Sequence, residues 1–374
     1  MSSKSISEAT SPEATATISD APLPPQANAA AHGTSVAPRP TAVPDELKAI
    51  AKVELHQHVD GSIPVELTWS LMRQHDLTPV ETMAEMEKLL VLQPEEEGAG
   101  LLKYLDKFHY PLWVTQFYEN VTEVAYTIAR EAYLQGVRLL EVRYAPIIHV
   151  YAGLTPRQAI VSLLEGFNRA EKEFPDLTCG VIVIAMRHMG PHIAKIVARQ
   201  AISEGQTFHE RVGIVGFDIA GAERGNPPRL FRDAFEVARK GGLGLTAHAG
   251  EDEGPHAVWE AVDVLGVQRI GHGCAALQDK TLLRRLARDQ ILVECCQTSN
   301  YHTGAVASGA PHPIFTFLEH GVPVAICTDN TTVSGTNQLR ENALLHPRLS
   351  FDEIAGIHDR ARAHSFIPAT RRKL

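Results

Sequence analysis

The chain has 374 residues, 44% hydrophobic and 21% charged, with a formal net charge of −9. That is enough apolar chain to bury a large core, and a mildly acidic balance excludes the electrostatic footprint of a nucleic-acid or anionic-membrane binder. The five cysteines are odd in number and form no CxxC pair; reduced, buried thiols in the cytoplasm are expected, not a disulfide frame.

Residues 1–45 are rich in Ser, Ala, Thr and Pro, with almost no large apolar side chain. Such a segment cannot bury enough surface to offset its ordering entropy, so disorder is expected there. Residues 1–30 contain no apolar h-region, which argues against a secretory signal. No run of 18 apolar residues occurs anywhere, so no membrane span is expected.

From Pro44 onward, short β-branched runs alternate with helical patterns, and residues 46–374 read as one domain. Eight strands are predicted, at 53–58, 137–144, 181–187, 214–220, 243–249, 269–272, 291–295 and 324–328. Most are apolar with little alternation, which suits parallel strands buried on both faces. Pro64 opens a helix that runs through Glu66–Gln74, with Leu67, Leu71 and Met72 on one face. Further helices are predicted at 118–135, 156–173, 193–204, 230–240, 257–265 and 280–289. Gly136, Gly205, Gly241 and Gly266 stand where helix C-terminal caps are wanted. Eight βα units predict a single (β/α)8 TIM-type barrel. A doubly wound open sheet is the alternative, weakened by the lack of a GxGxxG after the first strand. The long segment 76–107 predicts extra helices over the barrel mouth.

The first strand ends in His56-Gln57-His58. Residues i and i+2 of a strand point the same way, so two imidazoles converge in the mouth. Taken alone, such a pair is weak evidence. The fifth strand, however, runs into His248-Ala249-Gly250-Glu251, the sixth into Gly271-His272-Gly273, and the eighth into Asp329-Asn330. Barrel enzymes place their active sites at the carboxyl ends of the strands. His56, His58, His248 and Asp329 offer three nitrogens and one oxygen, a set that suits Zn²⁺, although Fe²⁺ or Co²⁺ fits the same donors.

These motifs together resemble the adenosine deaminase family of the amidohydrolase superfamily. The resemblance covers nearly all of residues 46–367. It continues through Glu141-Val142-Arg143-Tyr144-Ala145-Pro146, Gly216-Phe217-Asp218-Ile219-Ala220-Gly221, Thr298-Ser299-Asn300, His312-Pro313 and Gly321-Val322-Pro323. It implies a cytoplasmic, metal-dependent hydrolase that converts adenosine, and 2′-deoxyadenosine, to inosine and ammonia. One Zn²⁺ per chain would be held by His56, His58, His248 and Asp329, and would lower the pKa of its water towards neutrality. That water's oxygen would attack C6. Glu251 would protonate N1, and His272 would orient the water and assist its deprotonation. His58, Asp60, Gly221 and Asn330 would contact the substrate, Asp60 at the ribose hydroxyls, the Gly221 N–H at N3 and Asn330 at N7. Asp218 is either a support for the metal site or an ordinary strand-end aspartate.

Two departures from the family pattern stand out. Asn330 occupies a position where the family usually carries Asp; an amide donates to N7 without needing protonation. Ala222, within Gly221-Ala222-Glu223, replaces another Asp and reads as a tolerated loop change. Adenine, aminofutalosine and methylthioadenosine remain alternative substrates, because pocket size is not legible from sequence. A dinuclear amidohydrolase would need a lysine on the fourth strand, and residues 213–221 contain none. A nucleotide deaminase would need a basic cluster beside Asp60, which is absent from the sequence there. A catalytically silent barrel need not keep both Glu251 and His272.

Overall fold

In the computed structural model, which describes residues 43–205 and 212–372, one eight-stranded parallel sheet dominates. Its strands are β1 (Lys52–His58), β2 (Val137–Tyr144), β3 (Thr178–Met186), β4 (Ile214–Ala220), β5 (Gly244–Ala249), β6 (Arg269–His272), β7 (Leu292–Cys295) and β8 (Val324–Ile326). They pair in sequence order, each with the next. An isolated parallel bridge, Gln57 with Asp329, joins the last strand's exit back to β1. The predicted barrel is therefore present, with strand limits shifted by at most three residues. β3 starts at Thr178 and ends at Met186, because Arg187 already enters a 3₁₀ turn. β8 stops at Ile326 because Cys327–Asn330 turns the chain into the mouth. The expectation of disorder over 1–45 falls outside the described residues except for Val43–Asp45, and Asp45 opens a short helix, Asp45–Ala49.

The predicted helices follow the strands, with local adjustments. Pro156–Glu173 is as expected and starts on a Thr155 capping box. The helix expected at 230–240 begins as a 3₁₀ turn, Pro228–Phe231, before Arg232–Lys240. The one expected at 257–265 ends in a π turn, Ala261–Leu265. Gly136 and Gly266 take the positive φ that the capping argument requires. Gly241 does not: its φ is −80°, and Gly242 makes the left-handed turn instead. Gly205 is the last residue of its helix, Gly190–Gly205. Among the described residues, no helix is long and apolar enough to cross a membrane.

Alternate residues of each strand separate two interiors. Leu140, Val142, Val181, Phe217, Ile270 and Val293 belong to the large core between sheet and helices. Val53, Leu55, Leu139, Ile182, Leu292 and Ala325 form a second cluster inside the barrel. Phe366 and Ile367 close the amino-terminal end of that interior, tied down by Glu141 Oε1, which accepts from the backbone N–H groups of both. Above this apolar floor lies a layer of buried charge. Arg269 donates to Glu141 Oε2 at 2.7 Å and to Glu294 Oε1 at 2.8 Å, and Arg143 bridges Glu294 to Asp218. Burying a charge is tolerable only when it is paired, and here each charge in the layer has a partner.

Glu341, in the helix Gln338–Leu345, carries a further buried carboxyl that accepts from Thr336 Oγ1 at 2.6 Å and from Thr298. Burial pushes it from its ordinary 4.5 up to about 7. A folded-state pKa above the unfolded value means stability present below pH 4.5 and lost as the pH rises to 7. The loss is on the order of 3 kcal/mol. Thermal unfolding between pH 4.5 and 8 is expected to show a downward slope that Glu341→Gln flattens; an unchanged slope in the variant would refute the assignment.

Candidate active site

The strand pleat sends His56 and His58 to the same side of β1, with their Nε2 atoms 3.2 Å apart. β5 brings in His248, whose Nε2 lies 3.1 Å from that of His58. Asp329 Oδ1 lies 3.5 Å from His56 Nε2 and 3.3 Å from His58 Nε2. The four donor atoms all fall within 4.8 Å of one another, and all four residues are buried. Closure of the barrel makes this possible. The Asp329 N–H donates to the His56 carbonyl at 2.8 Å, and the His58 N–H donates to the Asp329 carbonyl at 2.7 Å. Asp329 takes a φ of 59° and His272 one of 66°, costly for non-glycine residues and common at functional sites.

The supporting contacts decide which atoms face the centre. Glu294 Oε2 sits 2.9 Å from His56 Nδ1, and Asp218 Oδ2 sits 2.9 Å from His248 Nδ1. A carboxylate beside Nδ1 holds the hydrogen there and leaves Nε2 as a bare lone pair. Ser299 Oγ donates to Asp329 Oδ2 at 2.6 Å, leaving Oδ1 for the centre. Lone pairs converging in a buried space repel one another unless a cation lies among them. The donor set therefore fits a metal ion, which any one of its residues alone would not establish.

The sequence-predicted residues converge on one cavity of about 460 Å³, within the usual size range for a small-molecule site. His58, Asp60, Gly221, His248, Glu251, His272, Asp329 and Asn330 all line it, while His56 lies fully buried beneath. Burial, with the charges of Asp329 and Glu223 nearby, raises the Glu251 carboxyl well above its ordinary range, which favours the neutral acid. His272 Nε2 is 3.5 Å from Glu251 Oε2. Asp60 is likewise pushed up to about 6, by burial and by Asp329. Two glycines are spatially required. A Cβ on Gly271 would come within 2.9 Å of His56 Cε1, and one on Gly61 within 1.8 Å of Asn330 Oδ1.

The opposite wall comes from the segment after β1, whose helices Met83–Leu90 and Leu101–Leu105 lie where extra helices were expected. Leu101, Leu105 and Phe108 present apolar surface to the cavity. Tyr104 reaches further in, its hydroxyl 2.7 Å from Ser334 Oγ.

A scan of family models matches residues 51–374 to adenosine deaminase. The chain belongs to the adenosine deaminase family. An adenosine deaminase from Enterococcus faecalis is 35% identical over 331 residues, 88% of this chain and 95% of that one. A probable adenosine deaminase from Dictyostelium discoideum is 32% identical over 326 residues, 86% of this chain but only 41% of that longer relative. Among solved structures, an adenine deaminase from Arthrobacter aurescens superposes with a TM-score of 0.79 at 26% identity, covering 87% of this chain and 96% of that one. Like other members of the adenosine deaminase family, this chain is a deaminase of the hydrolase class.

Several contributors to this deaminase site went unrecognised in the sequence. Glu294 and Arg143 lie in strands that read as apolar, although Glu141-Val142-Arg143 does alternate. Glu223, next to Ala222 in the loop after β4, was given no role by the sequence. It is buried and accepts four successive backbone N–H groups: Gly250 at 2.7 Å, Glu251 at 3.1 Å, Asp252 at 2.9 Å and Glu253 at 3.1 Å. One carboxylate thus fixes the loop that carries Glu251. Asp218, left open between two readings, supports His248 through both its side chain and its backbone N–H, the latter at 3.2 Å.

Proposed function

We propose that this protein converts adenosine and 2′-deoxyadenosine to inosine and ammonia, with one Zn²⁺ held by His56, His58, His248 and Asp329. The observation that carries the reading is the convergence of those four donors beneath a cavity whose wall holds the Glu251 carboxyl, raised by burial above its ordinary range. The relatives named adenosine deaminase support the substrate. When bound, zinc would supply a Lewis acid that activates water near neutral pH. Glu251 would give its proton to purine N1, drawing electrons away from C6. Asn330 would donate to N7 and the Gly221 N–H to N3, while Asp60 would accept from a ribose hydroxyl. Leu105 and Phe108 would keep bulk water off the base. Among the described residues no lysine or arginine lines the cavity, which favours a nucleoside over a nucleotide. The resemblance to an adenine deaminase makes the free base the second candidate.

The deciding experiment follows the ultraviolet spectrum of adenosine with purified, zinc-loaded protein. Conversion to the inosine spectrum is expected, abolished by chelation and restored by added Zn²⁺. An unchanged spectrum from metal-loaded protein would sink adenosine as substrate and turn the test to adenine and methylthioadenosine. His248→Ala is expected to lose both metal and turnover, since it removes a ligand and leaves Asp218 without its imidazole partner; stoichiometric zinc retained by that variant would break the ligand assignment.

Glu223→Gln offers a pH test. Removing this negative neighbour lowers the pKa of Glu251, and catalysis needs Glu251 protonated. The alkaline limb of the kcat profile should move to lower pH, with a drop in kcat on the order of tenfold. An alkaline limb unmoved by Glu223→Gln would show that Glu251 is not the group titrating there.

A further inference from the structure

His272 has one ring nitrogen in the cavity and one in the protein, and its tautomer can be traced from a fixed end. The Ile314 backbone N–H donates to His312 Nδ1 at 3.1 Å. A backbone N–H has no alternative tautomer, so His312 Nδ1 carries no hydrogen. Burial pushes the His312 imidazole down to about 3, keeping it neutral. Its one ring hydrogen therefore sits on Nε2, 3.0 Å from Asn300 Oδ1. An amide oxygen only accepts, which orients the Asn300 side chain and turns its NH₂ towards His272 Nδ1 at 2.9 Å. An NH₂ group only donates. His272 Nδ1 must then be an acceptor, and the hydrogen of the neutral ring lies on Nε2, facing Glu251 and the cavity. Asn300 is fully buried and His272 and His312 nearly so, so these direct contacts set the order.

We propose that Asn300 and His312 are positioning residues that lock His272 in its Nε2–H tautomer, so that it meets the attacking oxygen as a hydrogen-bond donor. This inference rests on the deaminase reading above. It keeps the orienting role expected for His272 and removes the proton-accepting one, because a neutral imidazole cannot take a proton on the nitrogen that already bears one. It also gives a function to Thr298-Ser299-Asn300 and His312-Pro313 together. Ser299 orients Asp329, Asn300 orients His272, and the turn that starts the helix Pro313–Glu319 sets the direction of the whole chain.

The test uses zinc-loaded protein labelled with ¹⁵N-histidine and observed by long-range ¹H–¹⁵N correlation, with the His272 ring assigned by its loss in His272→Ala. His272 Nδ1 is expected to resonate as an unprotonated nitrogen and Nε2 as a protonated one. In Asn300→Asp, a near-isosteric change that offers only acceptors to both histidines, Nδ1 of His272 should become protonated. That variant's kcat for adenosine should fall about 100-fold, the loss typical of one preorganised donor, with KM changed by less than about twofold. A wild-type spectrum showing hydrogen on Nδ1 overturns the proposal, and does so even if Asn300→Asp fails to fold. An Asn300→Asp variant that keeps both wild-type tautomer and kcat overturns it equally. Failure of adenosine turnover in the wild type would instead refute the substrate, because the tautomer is read without substrate.

Discussion

Glu251→Gln is expected to retain stoichiometric zinc and a near-native melting temperature while losing roughly 10²–10⁴ of kcat. The physical basis is that Glu251 takes no part in holding the metal donors. Its carboxyl is buried, and its neighbours Asp329 and Glu223 are both acidic, which favours the neutral acid. A carboxylic acid can hydrogen-bond to N1 and then transfer the proton; an amide can do only the first. Glutamine should therefore preserve adenosine binding within a few-fold and remove the transfer, a loss in kcat with KM little changed. The checks are steady-state kinetics, metal content by atomic absorption and a thermal melt on the same preparation. Near-wild-type kcat would show that the proton reaches N1 from elsewhere. Loss of zinc would show that Glu251 supports the metal set instead.

The second large effect is expected at Glu294. One carboxylate there faces His56 Nδ1, Arg143 and Arg269 at once. Glu294→Gln removes a negative charge that both guanidiniums share. Leaving buried cations short of a partner typically costs about 3–5 kcal/mol. It also frees His56 to change tautomer, and losses of such supports usually weaken metal binding about 10- to 100-fold. Urea denaturation should report the first effect and chelator competition the second. A variant with unchanged zinc affinity would show that His56 is oriented by the strand alone, and one with unchanged stability would show that water or a rearranged Glu141 takes over the pairing. Arg143 links Glu294 to Asp218, and these two carboxylates stand behind His56 and His248, so the barrel's charged layer and the proposed metal donors are one electrostatic unit.

That coupling explains what sequence reading missed. Buried charge inside a barrel leaves a weak trace, because Glu294 lies within Leu292–Cys295 as a single polar residue among apolar ones. Its partners Arg143 and Arg269 lie 151 and 25 residues away in the chain, and no local pattern connects them. Glu223 left even less trace: its work is done on backbone N–H groups, which carry no sequence signature.

The sequence by itself determined the eight βα units and pointed to the strand ends at which His56, His58, His248, Asp329, Glu251 and His272 gather. It could do so because strand alternation and strand ends are local properties, with periods of two residues and turns of a few. The tertiary structure alone decided which nitrogen of each imidazole faces the centre, that burial raises the Glu251 carboxyl, and that Tyr104 and Phe108 line the cavity. Those outcomes depend on burial and on groups brought together by barrel closure. The β8-to-β1 contact joins residues 271 apart, His58 to Asp329, and the free energy of a buried proton or lone pair is set by such neighbours in space, not by neighbours in the chain.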